Sequence, residues 1–431
     1  MFANKINYIN RFILISSIIV ILLPFAQISG PFFTDFFISI CALGYLIFII
    51  ILRREFHINN KYLNILLIFW LFIIVSSLFS DYKSLSLRPS LTFFRFIIFC
   101  YVIVFIINRN KDFLEKFNIS VIIALSLLIF DGYFQFIFGK NIIGLEQMRP
   151  DRLSSFFGDE LILGSYLCKF LPLILYLYYQ NIKIKKIKLF NSIIIIFILP
   201  LIFLSGERAA FFMSILFCLL VTPFLFTFKK FIVIILSFLI LGLFIIKSNK
   251  IIYDRYINQL KYHLVIEHQN EIIYFPEHIG IFNSAYNNFL KNKIIGSGIK
   301  SFRETCKLNN SNYKKKILKI RPTSDFCSTH PHNYYLQFLS ELGLLGFIFL
   351  TFTFIFCIIK YFKTLLMKYS NTYNDTLLLK KYIILLSGLI MLIWPVSTTG
   401  NFFNNYNSSF IFLNLSFFLY INNEFVSKIK K

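Results

Sequence analysis

The chain has 431 residues, of which 57% are hydrophobic and 15% charged, and its mean hydropathy is +0.71. A soluble protein of this length could not bury so much apolar surface, and the apolar runs are continuous, so soluble and β-barrel classes are excluded. The net charge of +24 does not indicate nucleic-acid binding, because the basic residues lie in short segments between apolar runs.

Twelve apolar runs predict membrane-spanning helices. They cover residues 12–30, 32–52, 63–80, 91–107, 117–139, 161–180, 190–204, 209–228, 231–247, 334–359, 382–400 and 407–421. The predicted fold class is an all-α polytopic membrane protein of about twelve transmembrane helices, with one large outer loop between spans 9 and 10. The expected division is spans 1–9 in residues 1–247, the loop in 248–332 and spans 10–12 in 333–431.

Lysine and arginine are distributed unevenly between the two sides of the membrane. With the N-terminus inside, the inner segments carry 22 of them and the short outer loops carry six. By the positive-inside rule both termini are cytoplasmic, and the long loop lies on the outer face. This loop holds 13 Lys and Arg against six Asp and Glu, which favours an anionic ligand or contact with lipid headgroups.

The long loop has features of a folded segment. Residues 281–291 place apolar side chains at helical spacing, and Gly296 and Gly298 indicate a tight turn. Cys306 and Cys327 both lie in this loop and can form a disulfide if that face is oxidising. Its histidines match no compact metal motif, so we expect neither a metal nor another cofactor.

The loop ends in Thr329-His330-Pro331-His332-Asn333, directly before an apolar run. One interpretation is a polar helix start with the histidines at headgroup level. The other is a general base at the membrane edge, because imidazole exchanges protons near neutral pH.

Three further charged residues are candidates for a functional site on the same outer face of the membrane. Arg208 lies in a very short turn between two spans, and its planar guanidinium suits phosphate oxygens. Arg152 is another outer-face cation. Glu341 lies about two helical turns after His332 in an apolar helix, where a carboxylate indicates function or a hydrogen bond to a neighbouring helix.

Several stretches together resemble the O-antigen ligase and polymerase superfamily of bacterial cell envelopes. LSGERAAFF is similar to the family's Ser-x-Arg segment, GSGIKSFRETC to its Gly-x-Gly turn, and THPHNYYLQFLSELGLLG to its His-x-His-Asn signature. RLSSFFGDELILGSYL, from Arg152, is a looser fourth match. The likeness covers about residues 150 to 350.

This resemblance implies an inner-membrane enzyme with its active site on the periplasmic face. It would move a glycan from a polyprenyl (undecaprenyl) diphosphate carrier to an acceptor hydroxyl, by a metal-independent inverting reaction. Arg208 would hold the diphosphate, His332 would be the base, and His330 would support it. Members of the family usually carry a second diphosphate-binding arginine in the loop. At that position this chain has His278, so the first candidate for the second cation is Arg303, and the next is Arg321.

The acceptor decides between two related activities. We expect a ligase, which transfers O-antigen to lipid A–core, and the alternative is a polymerase, which joins lipid-linked repeat units. A more distant alternative is a transporter for lipid-linked glycans. A transporter predicts a polar path through the spans and gives no reason for a structured outer loop.

Overall fold

The computed structural model describes residues 2–52, 60–227, 242–243, 246–247, 249–268, 271–274, 278–308, 326–370, 373 and 375–429. Within these ranges, nine helices precede the long loop. They are α1 (Phe2–Ser29), α2 (Pro31–Leu52), α3 (Lys61–Leu78), α4 (Lys83–Thr92), α5 (Phe94–Arg109), α6 (Phe113–Phe138), α7 (Leu163–Gln180), α8 (Lys185–Leu204) and α9 (Arg208–Leu225).

Short elements occupy the loop, and three long helices follow it. The loop contains α10 (Lys250–Tyr253), α11 (Gln259–Leu264), β1 (Val265–His268), β2 (Glu271–Tyr274), α12 (Ile279–Lys291) and α13 (Phe302–Thr305). The last helices are α14 (Tyr334–Tyr369), α15 (Thr376–Leu392) and α16 (Asn405–Ile429). The antiparallel pair β1–β2 is a local departure from the all-α prediction.

The polytopic class is confirmed in the described part of the chain. Nine of its helices are long and apolar enough to cross a membrane, and α7 and α15 also coincide with predicted spans. The predicted span 231–247 lies almost entirely outside the described residues. Several predicted boundaries were wrong. Span 382–400 ends at Leu392, the helices predicted at 334–359 and 407–421 continue to Tyr369 and Ile429, and the helix predicted from residue 12 begins at Phe2.

The centre of the bundle is formed by α5 and α16, which pack against each other. Every residue of α5 from Phe96 to Ile107 is buried. In contrast, Ile68 and Phe352 on the flank are 67% and 72% exposed. Apolar side chains facing outward are what a helix in contact with lipid tails requires.

Helix α14 is broken at Gly343, which has φ 66° and ψ −161°. At this break the backbone N–H groups of Leu344 and Leu345 donate to the carbonyls of Lys293 (2.8 Å) and Ile294 (3.3 Å). A Cβ atom on Gly343 would collide with the Ile294 carbonyl and lie 2.6 Å from the Gly296 nitrogen. Only glycine fits this conformation and approach, so the break locks the loop onto the first part of α14.

Candidate active site

His332 is held in an uncommon backbone conformation. Its φ is +56°, a left-handed value that a non-glycine residue rarely adopts. The Thr399 N–H donates to the His332 carbonyl at 2.8 Å, and the Asn333 side-chain amide donates to the carbonyls of Pro395 (2.7 Å) and Ser397 (3.2 Å). The segment 393–404, of which residues 393–400 were predicted as helix, therefore supports the histidine motif.

Pro395 and Gly400 explain why this segment is not helical. Proline removes a backbone donor and restricts the residue before it, and glycine is a poor helix former. A Cβ atom on Gly400 would also collide with the side-chain amide of Asn407. The chain therefore leaves α15 early and brings Thr399 beside the histidines.

Three imidazoles form one cluster. The ring of His332 lies 4.7 Å from that of His278 at an interplanar angle of 19°, and 4.3 Å from that of His330 at 51°. The Nε2 atom of His330 lies 3.2 Å from the Thr399 carbonyl oxygen, and its Nδ1 atom lies 2.9 Å from the Thr329 hydroxyl. The loop therefore places His278 against the His-Pro-His-Asn motif with which the loop ends.

Burial and electrostatic repulsion favour the neutral forms of His332 and His330. Burial, followed by the charges of His330 and His278, lowers the pKa of His332 to about 3. Burial also lowers the pKa of His330, although its hydrogen bond to Thr399 opposes this change, and Arg303 is one of the cations acting on it. A neutral imidazole can accept a proton, so His332 is in the form that a general base needs.

A disulfide joins Cys306, directly after α13, to Cys327, with their Cα atoms 5.1 Å apart. The next residue, Ser328, places its hydroxyl oxygen 3.1 Å from Nε2 of His332. Ile281, Ala285 and Phe302 form a small apolar cluster around this bridge. The loop therefore has its own core and cross-link, and both lie directly behind the histidine motif.

Glu341 holds the Gly-Ser-Gly turn against α14. Its side-chain carboxylate accepts from the Gln337 amide at 2.9 Å and from the Phe302 N–H at 3.4 Å. Its backbone carbonyl accepts from the Gly298 N–H at 2.8 Å. Arg95, a cation of α5, pairs instead with Asp35.

A second group of charges surrounds the turn before α9. Arg255, from the loop, is buried; its Nε donates to the Gly206 carbonyl at 2.8 Å, and its Nη1 lies 3.4 Å from an Asp151 oxygen. Burial and the charges of Arg208 and Arg152 lower the pKa of Arg255 to about 10, so it remains cationic at neutral pH.

We call the six residues of this group the arginine cluster. They are Arg149, Arg152, Arg208, Arg255, Asp151 and Glu207. Four cations thus face two carboxylates. Burial raises the pKa of Glu207 to about 6 against the opposing charge of Arg152, so the positive excess is at least two near neutral pH. Such a site attracts a multiply charged anion.

Side-chain amides connect α7 to α14 through α16 and the segment before it. Lys169 donates to the Asn407 side-chain oxygen at 2.7 Å, and the Asn407 amide donates to the Asn401 carbonyl at 3.1 Å. The Gln337 amide donates to the Asn401 side-chain oxygen at 2.8 Å and also to Glu341. These contacts tie α7, α14 and α16 together at the end of the bundle where the predicted outer loops meet.

The structure brings most predicted site residues into these two groups. His278, His330, His332 and Arg303 lie in the first, and Arg152 and Arg208 in the second. Glu341 lies at the Gly-Ser-Gly turn, and Arg321 lies outside the described residues. Sequence reasoning counted Arg255 only as loop charge and missed Ser328 and Thr399, for which the single sequence carries no periodic or motif signal.

Comparison with known proteins supports the resemblance. The profile of a family described as O-antigen ligase matches residues 193–351, a segment that contains Arg208, the described parts of the loop and the His-Pro-His-Asn motif. This match supports the O-antigen ligase and polymerase superfamily indicated by the sequence motifs. No curated protein matches the chain.

Proposed function

We propose that this protein is an inner-membrane glycosyltransferase that moves a glycan from a polyprenyl diphosphate carrier to an acceptor hydroxyl. The preferred acceptor is a lipid A–core sugar, which makes the protein an O-antigen ligase. The observations that support this proposal are the imidazole cluster of His278, His330 and His332 and the arginine cluster around Arg208 and Arg255, both of which are completed by residues of the long loop.

In the proposed reaction, His332 is the general base. The acceptor oxygen forms a bond to the anomeric carbon of the donor while its proton passes to the imidazole. The bond from that carbon to the diphosphate oxygen breaks, and the diphosphate leaves with the electron pair. A base that is already neutral needs no prior deprotonation, and attack opposite the leaving group inverts the anomeric carbon.

The arginine cluster stabilises the leaving diphosphate. Arg208 begins α9, so its guanidinium lies at the outer membrane edge and close to the N–H groups of a helix N-terminus. Arg255 supplies the second loop cation in place of Arg303, because its charge acts directly beside Arg208. Fixed cations next to developing negative charge lower the barrier without reorganising during the reaction.

The proposal also includes an orientation of the protein in the membrane. The inner segments carry the lysine excess, so both termini are cytoplasmic and the two clusters face the periplasm. A donor flipped to that face would reach the arginine cluster from the bilayer, and the acceptor would approach the histidines from the aqueous side.

The proposal is tested by separate His332→Ala and Arg208→Ala substitutions in the full-length protein. Each should reduce transfer at least a hundredfold while the amount of inserted protein is unchanged, because base and electrostatic contributions are of this size. The matched control is Arg88→Ala, which removes an exposed cation of the α4 segment and should leave transfer intact. Near-normal transfer by either site variant would contradict the mechanism.

Gene deletion distinguishes the two acceptors. If the surface lipopolysaccharide loses all long-chain glycan and retains bare lipid A–core, the protein is a ligase. Retention of a single repeat unit on the core would instead identify a polymerase. Both results agree with transferase chemistry, whereas a lipopolysaccharide profile identical to that of the parent strain contradicts it.

A further inference from the structure

We propose that Tyr406 is a donor-binding residue, whose phenolic hydroxyl donates a hydrogen bond to the diphosphate of the lipid-linked donor. This inference rests on the proposed function and adds a residue from α16, outside the segment 193–351 that matches the family profile.

Tyr406 lies in the first turn of α16, at the end of the bundle that carries the arginine cluster. The Asn404 side chain caps this turn by accepting the Tyr406 N–H at 2.9 Å. The ring of Tyr406 lies 5.2 Å from that of Phe410, and the Lys169 ammonium lies 5.8 Å from its centroid. The side chain is therefore held in place on both sides.

Tyr406 lies near Glu207 of the arginine cluster. The charges of Glu207 and Glu160 are close enough to act on it. The positive charge of Arg152 acts in turn on the Glu207 carboxylate, which also accepts a hydrogen bond from the Gly164 N–H at 2.7 Å. Since Glu207 directly precedes Arg208, the tyrosine hydroxyl shares its surroundings with the residue proposed to hold the diphosphate.

The hydroxyl is buried and has no hydrogen-bond partner among the described residues. The Nε donor of Arg152 is also buried without a partner within the same described ranges. Burying a donor without an acceptor costs free energy, so such groups in a native structure require an explanation. These two donors, both near Glu207 and both without a partner among the described residues, indicate a place where an acceptor group can bind.

An ionised diphosphate provides what these donors lack. Its oxygens only accept hydrogen bonds, and bonds to an ionised acceptor are stronger than neutral ones. Tyrosine contributes a donor with no charge of its own, so it can approach the diphosphate without adding to the repulsion among the arginines. Its hydroxyl would therefore help to orient a ligand that the arginines attract.

The test compares three tyrosine-to-phenylalanine variants of the full-length protein in nanodiscs. Tyr406→Phe should leave the ligand-free Tm unchanged or higher, because no protein hydrogen bond is lost. The apparent Kd for geranylgeranyl diphosphate should rise roughly tenfold, since a hydrogen bond to a charged group is removed. The KM for the natural donor should rise with it.

Two control variants separate binding from stability. The Tyr176 hydroxyl is also buried without a partner among the described residues, but it lies near Tyr420 and Glu424, far along α16 from Tyr406. Tyr176→Phe should therefore leave both Tm and Kd near wild type. The Tyr166 hydroxyl donates to the Pro24 carbonyl at 2.8 Å, so Tyr166→Phe should lower Tm without changing Kd.

Three results would overturn the inference. They are an unchanged Kd in Tyr406→Phe, a ligand-free Tm as low as that of Tyr166→Phe, and loss of stabilisation by phosphatidylglycerol rather than by the diphosphate. If Arg208→Ala weakens diphosphate binding and Tyr406→Phe does not, only this inference fails. If neither variant changes binding or transfer, the proposed function fails as well.

Discussion

The hydroxyl oxygen of Ser328 lies 3.1 Å from Nε2 of His332, and Ser328 directly follows a disulfide-bonded cysteine. A hydrogen bond to one ring nitrogen orients an imidazole and selects its tautomer. Because the disulfide ties Cys327 to the segment after α13, the orientation of His332 depends on a cross-link within the loop.

Removal of this cross-link should therefore affect both stability and transfer. Reduction, or the double substitution Cys306→Ser and Cys327→Ser, should destabilise the loop by about 3 kcal/mol in the chain-entropy account of a loop of this length. Transfer should fall in parallel, as Ser328 is no longer held. Differential scanning fluorimetry and a transfer assay, each with and without reductant, measure the two effects.

Cys218→Ser provides the control, because Cys218 lies within α9 and forms no disulfide. This variant should respond to reductant as the wild type does. Titration of both Cys306 and Cys327 by a thiol reagent in the untreated, folded protein would show that they do not pair.

The pH dependence of transfer should reflect the low pKa of His332. Burial and the charges of His330 and His278 lower this pKa to about 3, so His332 remains neutral well below pH 6.5. His330→Ala removes one repelling imidazole and should raise the pKa of His332, which moves its acid limb to higher pH. The measurement is the transfer rate of this variant as a function of pH. If its acid limb stays in place or moves to lower pH, His330 does not lower the pKa of His332.

The lowered pKa of His332 also affects the stability of the folded protein. The pKa of His332 is lower in the folded protein than the unfolded value of about 6.5, so the unfolded chain binds the extra proton. Stability should therefore fall as pH decreases below about 6.5 toward 3. His332→Asn removes this contribution, and its Tm should fall less steeply with acid than that of the wild type.

Gly343→Ala should strongly destabilise the junction between the loop and α14. The residue has a left-handed φ, and its new Cβ atom would meet the Ile294 carbonyl. We expect a loss of about 1–3 kcal/mol from strain, with the collision added to it. Gly139→Ala is the matched control, since its φ is +73° but nothing lies within 4 Å of the new atom.

Tm measurements on these two variants separate the contributions. Gly139→Ala should show backbone strain alone, and Gly343→Ala should show a larger decrease in Tm together with reduced transfer. Equal decreases in Tm for the two variants would mean that the collision with Ile294 does not contribute to the loss of stability.

Arg255→Lys should reduce transfer although it retains the charge. Lysine cannot donate to the Gly206 carbonyl and reach Asp151 and Gln259 with the same fork geometry. We expect at least a tenfold decrease in transfer and a higher donor KM. Arg88→Ala should have little effect, because Arg88 is an exposed cation outside the arginine cluster. Wild-type kinetics for Arg255→Lys would exclude a role for its fork geometry.

Local patterns in the sequence predicted much of this protein. Apolar runs located the helices, and the spacing at 281–291 predicted α12, because both depend on residues close together in the chain. The histidine motif and the Arg208 segment were recognisable for the same reason. Asn333 is a helix N-cap in the structure, as the polar-start interpretation of this motif expects.

The contacts that complete the two clusters depend on tertiary packing. Thr399 meets His330 from 69 positions away, and Arg255 reaches Gly206 across 49. Tyr406 lies beside Glu207 only because α16 packs at the centre of the bundle. Hydropathy and backbone preference are properties of neighbouring residues, so the sequence determined the helices and motifs. A hydrogen bond between distant residues exists only after the helices have packed, so the tertiary structure alone decided which groups surround His332 and Arg208.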